Sequence, residues 1–289
     1  MYTSISDLLA HAQAQNSGLW KIVLENECRI GNLSEEQVFG MLGERFEVMS
    51  ASAERALQKS LPTVGGLIEG AASAQRAYAD SGGGLLGSFL NMVMARSLSC
   101  SEVNASMGKI CAFPTAGACG IIPAVLISVA EKRGLSRRAV LEAMLTASGI
   151  GAVIVKNATV SGAEGGCQAE CGVAAAMAAG AAVQMTGGTN EMSAHAVSFA
   201  LMNCMGLVCD PIAGLVQVPC AQRNASQSIN ALLSADLALA GMKSAVPADE
   251  VIEAMYKTGR LLPAELKETA LGGLAATPSA KRIQKSIFD

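Results

Sequence analysis

Aromatic side chains are scarce in this chain, with three Tyr, six Phe and one Trp among 289 residues. Helices that cross a bilayer anchor themselves with interfacial Trp and Tyr, and so few aromatics cannot build such belts. Charge is scarce as well, at 16% of residues and a formal net of -3. No basic run tracks a phosphate backbone, so a nucleic-acid partner is not expected. Histidine is limited to His11 and His195, which leaves little choice of general base. Met1 to Asn16 is polar and amphipathic, without the apolar core of a secretion signal, and a cytoplasmic chain is expected. No stretch alternates with period two for long enough to make a sheet, and no internal repeat is evident.

What is abundant is small and apolar. Hydrophobic residues make up 51% of the chain, and there are 30 glycines. Ile110 to Ala130 and Cys171 to Asn190 carry no charge and are long enough to span a bilayer. Pro114 and Pro123 interrupt the first, however, and the second is mostly Ala and Gly with Gln184 inside. Tightly packed small-residue helices in a soluble protein are the better reading. The predicted fold is all-α: a single helical domain over 1–289, with residues 1–60 as a helical N-terminal scaffold.

Local signals place the helices. Ser34 to Gln37 has capping-box spacing, followed by one apolar face through Val38, Met41, Leu42, Phe46 and Met49. Ser81 to Gly84 is a break that could act as a hinge. Helices are predicted from Leu85 to Leu98 and from Ile121 to Arg133, the latter ended by Gly134. Another runs from Arg137, capped by Ser136, to Val155, and a buried Ala/Gly helix spans Gly172 to Met185. Asn190 is expected to cap the helix containing His195. Asp210-Pro211 should open a short helix that Pro219 ends; a long helix should follow from Asn224 to about Lys243, with Pro247 and Pro263 opening two more.

The nine cysteines are odd in number and spread over a long chain, which points to reduced thiols rather than a disulfide set. Three lie in breaks of the helical pattern: Cys167 in SGAEGGCQAEC (Ser161 to Cys171), and Cys209 and Cys220 in CDP and VPC. Separations of 42 and 11 residues match no zinc finger or ferredoxin run. They are read as ligands that tertiary structure gathers at a buried inorganic site. The two glycines before Cys167 read as room for the bound group, and Cys171 as a weaker candidate. Ala105 to Gly120, ASMGKICAFPTAGACG, is a glycine-rich turn feeding a helix; it suits either a carboxylate or phosphate site or a close helix crossing.

Three blocks carry a resemblance: NATVSGAEGGCQAE, ASMGKICAFPTAGACGIIPAVL and MGLVCDPIAGLVQVPCAQRN. They are similar to the signature blocks of the iron–sulfur L-serine dehydratases, and over nearly its whole length the chain resembles the α subunit of the two-subunit bacterial form. The resemblance implies a 4Fe-4S cluster on Cys167, Cys209 and Cys220, with one iron open, and no pyridoxal phosphate. The open iron would act as a Lewis acid on the serine hydroxyl. A base would remove the Cα proton, and the resulting aminoacrylate would hydrolyse to pyruvate and ammonia. Active-site histidines are implied on a β subunit, so this chain alone would be incomplete. An oligomer is expected, without membrane or nucleic acid.

Substrate contacts are expected from Thr115, Ala116 and Gly117 for the serine carboxylate, with Lys109 adding positive charge nearby. Asn157 and Ser161 could bond substrate or cluster sulfides. Glu164 and Glu170 are candidates for the ammonium group, although helix N-terminal roles suit them better. His11 reads as solvated and His195 as a satisfied helix histidine. No cysteine follows Cys220, so a tail ligand to the open iron is not expected. A cysteine desulfidase is the first alternative, and a small-residue transporter a more distant one.

Overall fold

The computed structural model describes residues 1–82 and 84–289; Gly83, part of the break at Ser81 to Gly84, lies outside them. Among the described residues there are thirteen α-helices and no strand. In chain order they are α1 (Ile5–Ala14), α2 (Leu19–Gly31), α3 (Glu35–Gln58), α4 (Ala71–Asp80), α5 (Gly87–Ala105), α6 (Ile121–Arg133) and α7 (Arg137–Asn157). Then come α8 (Gly162–Gly165), α9 (Val173–Met185), α10 (Asn190–Met202), α11 (Cys220–Leu239), α12 (Ala248–Leu261) and α13 (Pro278–Phe288).

Helix α9 is the axis of the fold. Every residue in it except Gln184 is buried, as a helix apolar on all sides must be. Helices α6, α7, α10 and α11 pack around it, and its small side chains set how closely they approach. A Cβ on Gly180 would sit 2.4 Å from Ile150, and one on Gly151 of α7 would sit 2.7 Å from Met177. The lone polar member, Gln184, accepts a hydrogen bond from the Thr146 hydroxyl of α7. Helix α7 is itself long and apolar enough to cross a membrane, but 67% of that window is buried inside the protein. It is a core helix.

Most local signals hold. Ser34 and Gln37 form the capping box of α3, Gly134 ends α6 in the left-handed region, and the Ser136 hydroxyl caps α7. Three differ. Thr189, not Asn190, caps α10; the Asn190 amide instead donates to the Ser17 carbonyl. Asp210-Pro211 starts no helix beyond the single turn Ile212–Gly214, where Ala213 has φ 58°. The Asp210 carboxylate is drawn away from capping, because it accepts from the Leu274 N–H at 2.7 Å and pairs with Arg223. Helix α11 consequently begins at Cys220 rather than Asn224, and Pro263 opens only one turn, Ala264–Leu266.

Helix α5 carries a buried polar seam that its apolar pattern hides. Arg96 pairs with Glu54 and Glu131. Glu102, fully buried, accepts from the N–H groups of Leu61, Gly70 and Ala72 and so fastens the segment between α3 and α4. Bonds to a charged acceptor contribute about 1.5–3 kcal/mol each, and orphaned buried donors cost more. Glu102→Ala is expected to lower unfolding free energy by about 3 kcal/mol or more, read from the urea midpoint. An unchanged midpoint would remove this anchor from the account.

Candidate functional site

Four separate segments meet beyond the N-terminal end of α9. The first is the turn through α8 to Cys167. Here Gly166 adopts φ 78°, ψ 179°, a region open essentially to glycine alone. A Cβ there would lie 2.8 Å from the Leu207 carbonyl and 2.7 Å from Leu262, while one on Gly259 of α12 would lie 2.7 Å from the Cα of Gly165. These glycines therefore make room for α12 and the Leu207 segment, not for a bound group as the sequence suggested. The glycine that faces the thiols is Gly162, whose missing Cβ would be 2.6 Å from Glu170 and 3.1 Å from the Cys209 sulfur.

Directly after Cys167 the helix opens into a π-turn, Gln168–Gly172. Such turns arise where a backbone group finds another partner. Here the Gln168 N–H donates to the Leu207 carbonyl at 3.0 Å. The buried Gln168 side chain completes the junction, donating to the Gly165 and Met255 carbonyls and accepting from the Gly206 N–H.

Cys209 lies on the second segment, held in an isolated parallel bridge to Lys267. Its N–H donates to the Leu266 carbonyl, and its own carbonyl accepts from the Glu268 N–H at 2.7 Å. The third segment is the start of α11, where Cys220, Arg223 and Asn224 fall on one face at i, i+3 and i+4. Asn224 joins the fourth, Thr115 to Gly120: it donates to the Gly117 carbonyl at 2.6 Å and accepts from the Gly120 N–H at 2.9 Å. The Ala116 and Gly117 N–H groups donate to nothing within the chain among the described residues. The Thr115 hydroxyl is buried beside Glu170 without a well-formed hydrogen bond.

All nine cysteines are free. Cys167, Cys209 and Cys220 lie close enough to act on one another electrostatically. A hydrogen bond from the Cys171 thiol holds Cys167 below the usual thiol range, against the effect of burial, and Arg223 adds to this. Burial raises Cys209 strongly and pushes Cys220 up to about 12. The Glu170 carboxyl is pushed up to about 7, first by burial and then by the charge of Glu268. Among the described residues no three His, Cys, Asp or Glu side chains converge on a point as they would around a single metal ion.

Of the other sequence candidates, Ser161 stands before α8, and its N–H donates to the Thr159 hydroxyl. That hydroxyl donates to Glu164 at 2.6 Å. Glu170, by contrast, points among the thiols, with Oε2 3.8 Å from the Cys209 sulfur. Asn157 spends its amide on the Thr3 and Val153 carbonyls. Lys109 is exposed and borders a cleft with Glu47 and Arg55. His11 pairs with Asp7 on the surface, and His195 accepts from the Ser244 N–H. The structure brings neither histidine to the thiols. Arg223 and Glu268 carry no role in the sequence reading, and Asp210 and Asn224 appear there only as helix-start residues, not as parts of a site. The helical spacing of Arg223 and Asn224 from Cys220 was the available signal for two of them.

A family described as "Serine dehydratase alpha chain" matches residues 14–275. The chain is 51% identical over 270 residues to "L-serine dehydratase, alpha chain" of Peptoniphilus asaccharolyticus, covering 93% of this chain and 92% of that one. It is 42% identical over 288 residues to "Probable L-serine dehydratase, alpha chain" of Bacillus subtilis (strain 168), covering 100% and 96%. With "L-serine dehydratase 1" of Escherichia coli (strain K12) it shares 35% identity over 280 residues, which is 95% of this chain but 61% of that longer one.

Proposed function

Because the chain belongs to the serine dehydratase alpha chain family, we propose that it is the α subunit of a two-subunit enzyme that converts L-serine to pyruvate and ammonia. Cys167, Cys209 and Cys220 would hold a 4Fe-4S cluster. The observation that carries this is the approach of three thiols from three separate segments, Cys167 and Cys209 buried and Cys220 half-buried, beside the Arg223 guanidinium and the Glu170 carboxylate. A donor set of thiols alone is the chemistry that iron–sulfur clusters select. When bound, the cluster supplies a Lewis-acid iron that eases departure of the substrate hydroxyl.

The chain's own groups orient the substrate. Glu170 offers a carboxylate to the serine ammonium, and Gly162 keeps the space before it clear. Thr115 with the free N–H groups of Ala116 and Gly117 suits the serine carboxylate, and Ser161 stands at the neighbouring turn. Asn157 and Lys109 have no part in this reading, since their side chains are directed elsewhere. No histidine of this chain is available as base, so the proton at Cα falls to a residue of the β subunit. The protein is read as cytoplasmic and oligomeric; the burial of α7 speaks only against that helix crossing a membrane.

The test is anaerobic purification of this chain with and without its β subunit, followed by iron and sulfide counting and spectra with and without serine. About four irons per chain, a spectrum that changes with serine, and turnover only in the complex are expected. A chain that stays colourless after reconstitution would sink the cluster. Strong turnover by the isolated chain would sink the shared-site reading. Serine and cysteine assayed side by side decide between dehydratase and desulfidase.

A further inference from the structure

Arg223 stands one turn beyond Cys220 on α11, and its guanidinium reaches both other cysteine segments at once. Nη1 donates to the Val208 carbonyl, immediately before Cys209, at 2.6 Å. Nη2 pairs with Asp210 Oδ1, immediately after Cys209, at 2.8 Å. Its positive charge also acts on the Cys167 thiol and helps to hold it below the usual thiol range. Its side chain is 14% exposed and that of Asp210 only 4%. Asp210 is fixed in turn, because its second oxygen accepts from the Leu274 N–H at 2.7 Å and Gly273 leaves just enough room for it.

We propose that Arg223, oriented by Asp210, is the positioning residue that sets the spacing of the three thiols and balances their charge when the cluster is bound. The inference rests on the cluster reading above. A planar guanidinium offers five N–H donors in a fixed fork and keeps its charge at every physiological pH. Three thiolates around one cluster gather negative charge in a site that water reaches poorly, and a fixed cation beside Cys167 offsets it. A lysine would restore the charge without the fork, so it cannot serve Val208, Asp210 and Cys167 together. Groups in this outer position set ligand geometry, and losing them costs about 10–100-fold in metal affinity. Hydrogen bonds to cluster sulfurs and nearby positive charge also raise the reduction potential.

The experiment compares the unaltered chain with Arg223→Gln, Arg223→Lys and Asp210→Asn, each co-produced with the β subunit and reconstituted anaerobically. Three readouts are taken: iron and sulfide per chain, resistance of the bound iron to a chelator, and the midpoint potential of the cluster. Arg223→Gln is expected to lose iron to the chelator about tenfold or more faster and to shift the midpoint to a lower potential. Arg223→Lys should lie between Gln and the unaltered chain in chelator resistance, and Asp210→Asn should resemble it. A merely structural role would reduce yield without moving the potential of the molecules that fold. Full iron, chelator resistance and potential in Arg223→Gln overturn the inference. If that variant does not fold, the same result in Arg223→Lys overturns it. An unaltered chain that takes up no iron and sulfide overturns the cluster reading itself, a distinguishable failure.

Discussion

Cys209→Ser, reconstituted anaerobically beside the unaltered chain, is expected to lose most of its iron and nearly all turnover in the complex with β. Lewis-acid polarisation of a leaving oxygen is worth several kcal/mol, so losing it should lower kcat by about a hundred- to a thousandfold. The fold should survive the change. Cys209 is held by its backbone, through Leu266 and Glu268, and its thiol makes only a long contact to Glu170. The melting temperature of the metal-free variant should therefore stay near that of the unaltered chain. Cys28→Ser is the matched control, since Cys28 is half-buried on α2, away from the thiols. Equal iron in Cys209→Ser and Cys28→Ser would remove Cys209 from the ligand set.

Gly166→Ala is the second large effect, and it reaches the site through the backbone. An alanine would have to hold φ 78°, ψ 179°, a strain of about 1–3 kcal/mol. Its Cβ would also press on the Leu207 carbonyl and Leu262, and such overpacking typically costs a further 1–3 kcal/mol or so. The sum, about 4 kcal/mol, is a large share of the roughly 5–15 kcal/mol that holds a domain together. Gly187 also has positive φ but meets nothing within 4 Å, so Gly187→Ala should cost only about 1–2 kcal/mol. Urea unfolding of the two variants checks the difference. Equal midpoints would mean that the Gly166 turn is slack.

Much of this was legible in the chain, for identifiable reasons. Capping residues act locally, so the start of α3, the junction of α6 with α7 and the burial of α9 could be read from neighbours in sequence. The failures lie where a distant group claimed a local one. Asp210 looks like an N-cap until the Leu274 N–H and Arg223 take its carboxylate. The glycines before Cys167 look like space for a cluster until α12 and Leu207 come close from other parts of the chain. Glu170 reads as a helix N-terminal charge, and only the π-turn after Cys167 shows that it points among the thiols. The cysteines themselves stood out because each lies in a break of the helical pattern, but the side chains that tie their segments to one another and to residues 115–120, Arg223 and Asn224, look like ordinary polar helix residues.

The bridge from Cys209 to Lys267 has a consequence for the order in which the protein comes into being. Cys167, Cys209 and Cys220 have all been translated well before the segment that closes over them. The Leu266 carbonyl, the Glu268 N–H and the Leu274 N–H, which hold Cys209 and Asp210 in place, emerge from the ribosome some tens of residues later. A nascent chain halted at Leu262 would hold every thiol but lack that last wall. On the cluster reading, iron would then be best inserted after synthesis is complete, and chains stalled late in translation would be the ones most open to losing it.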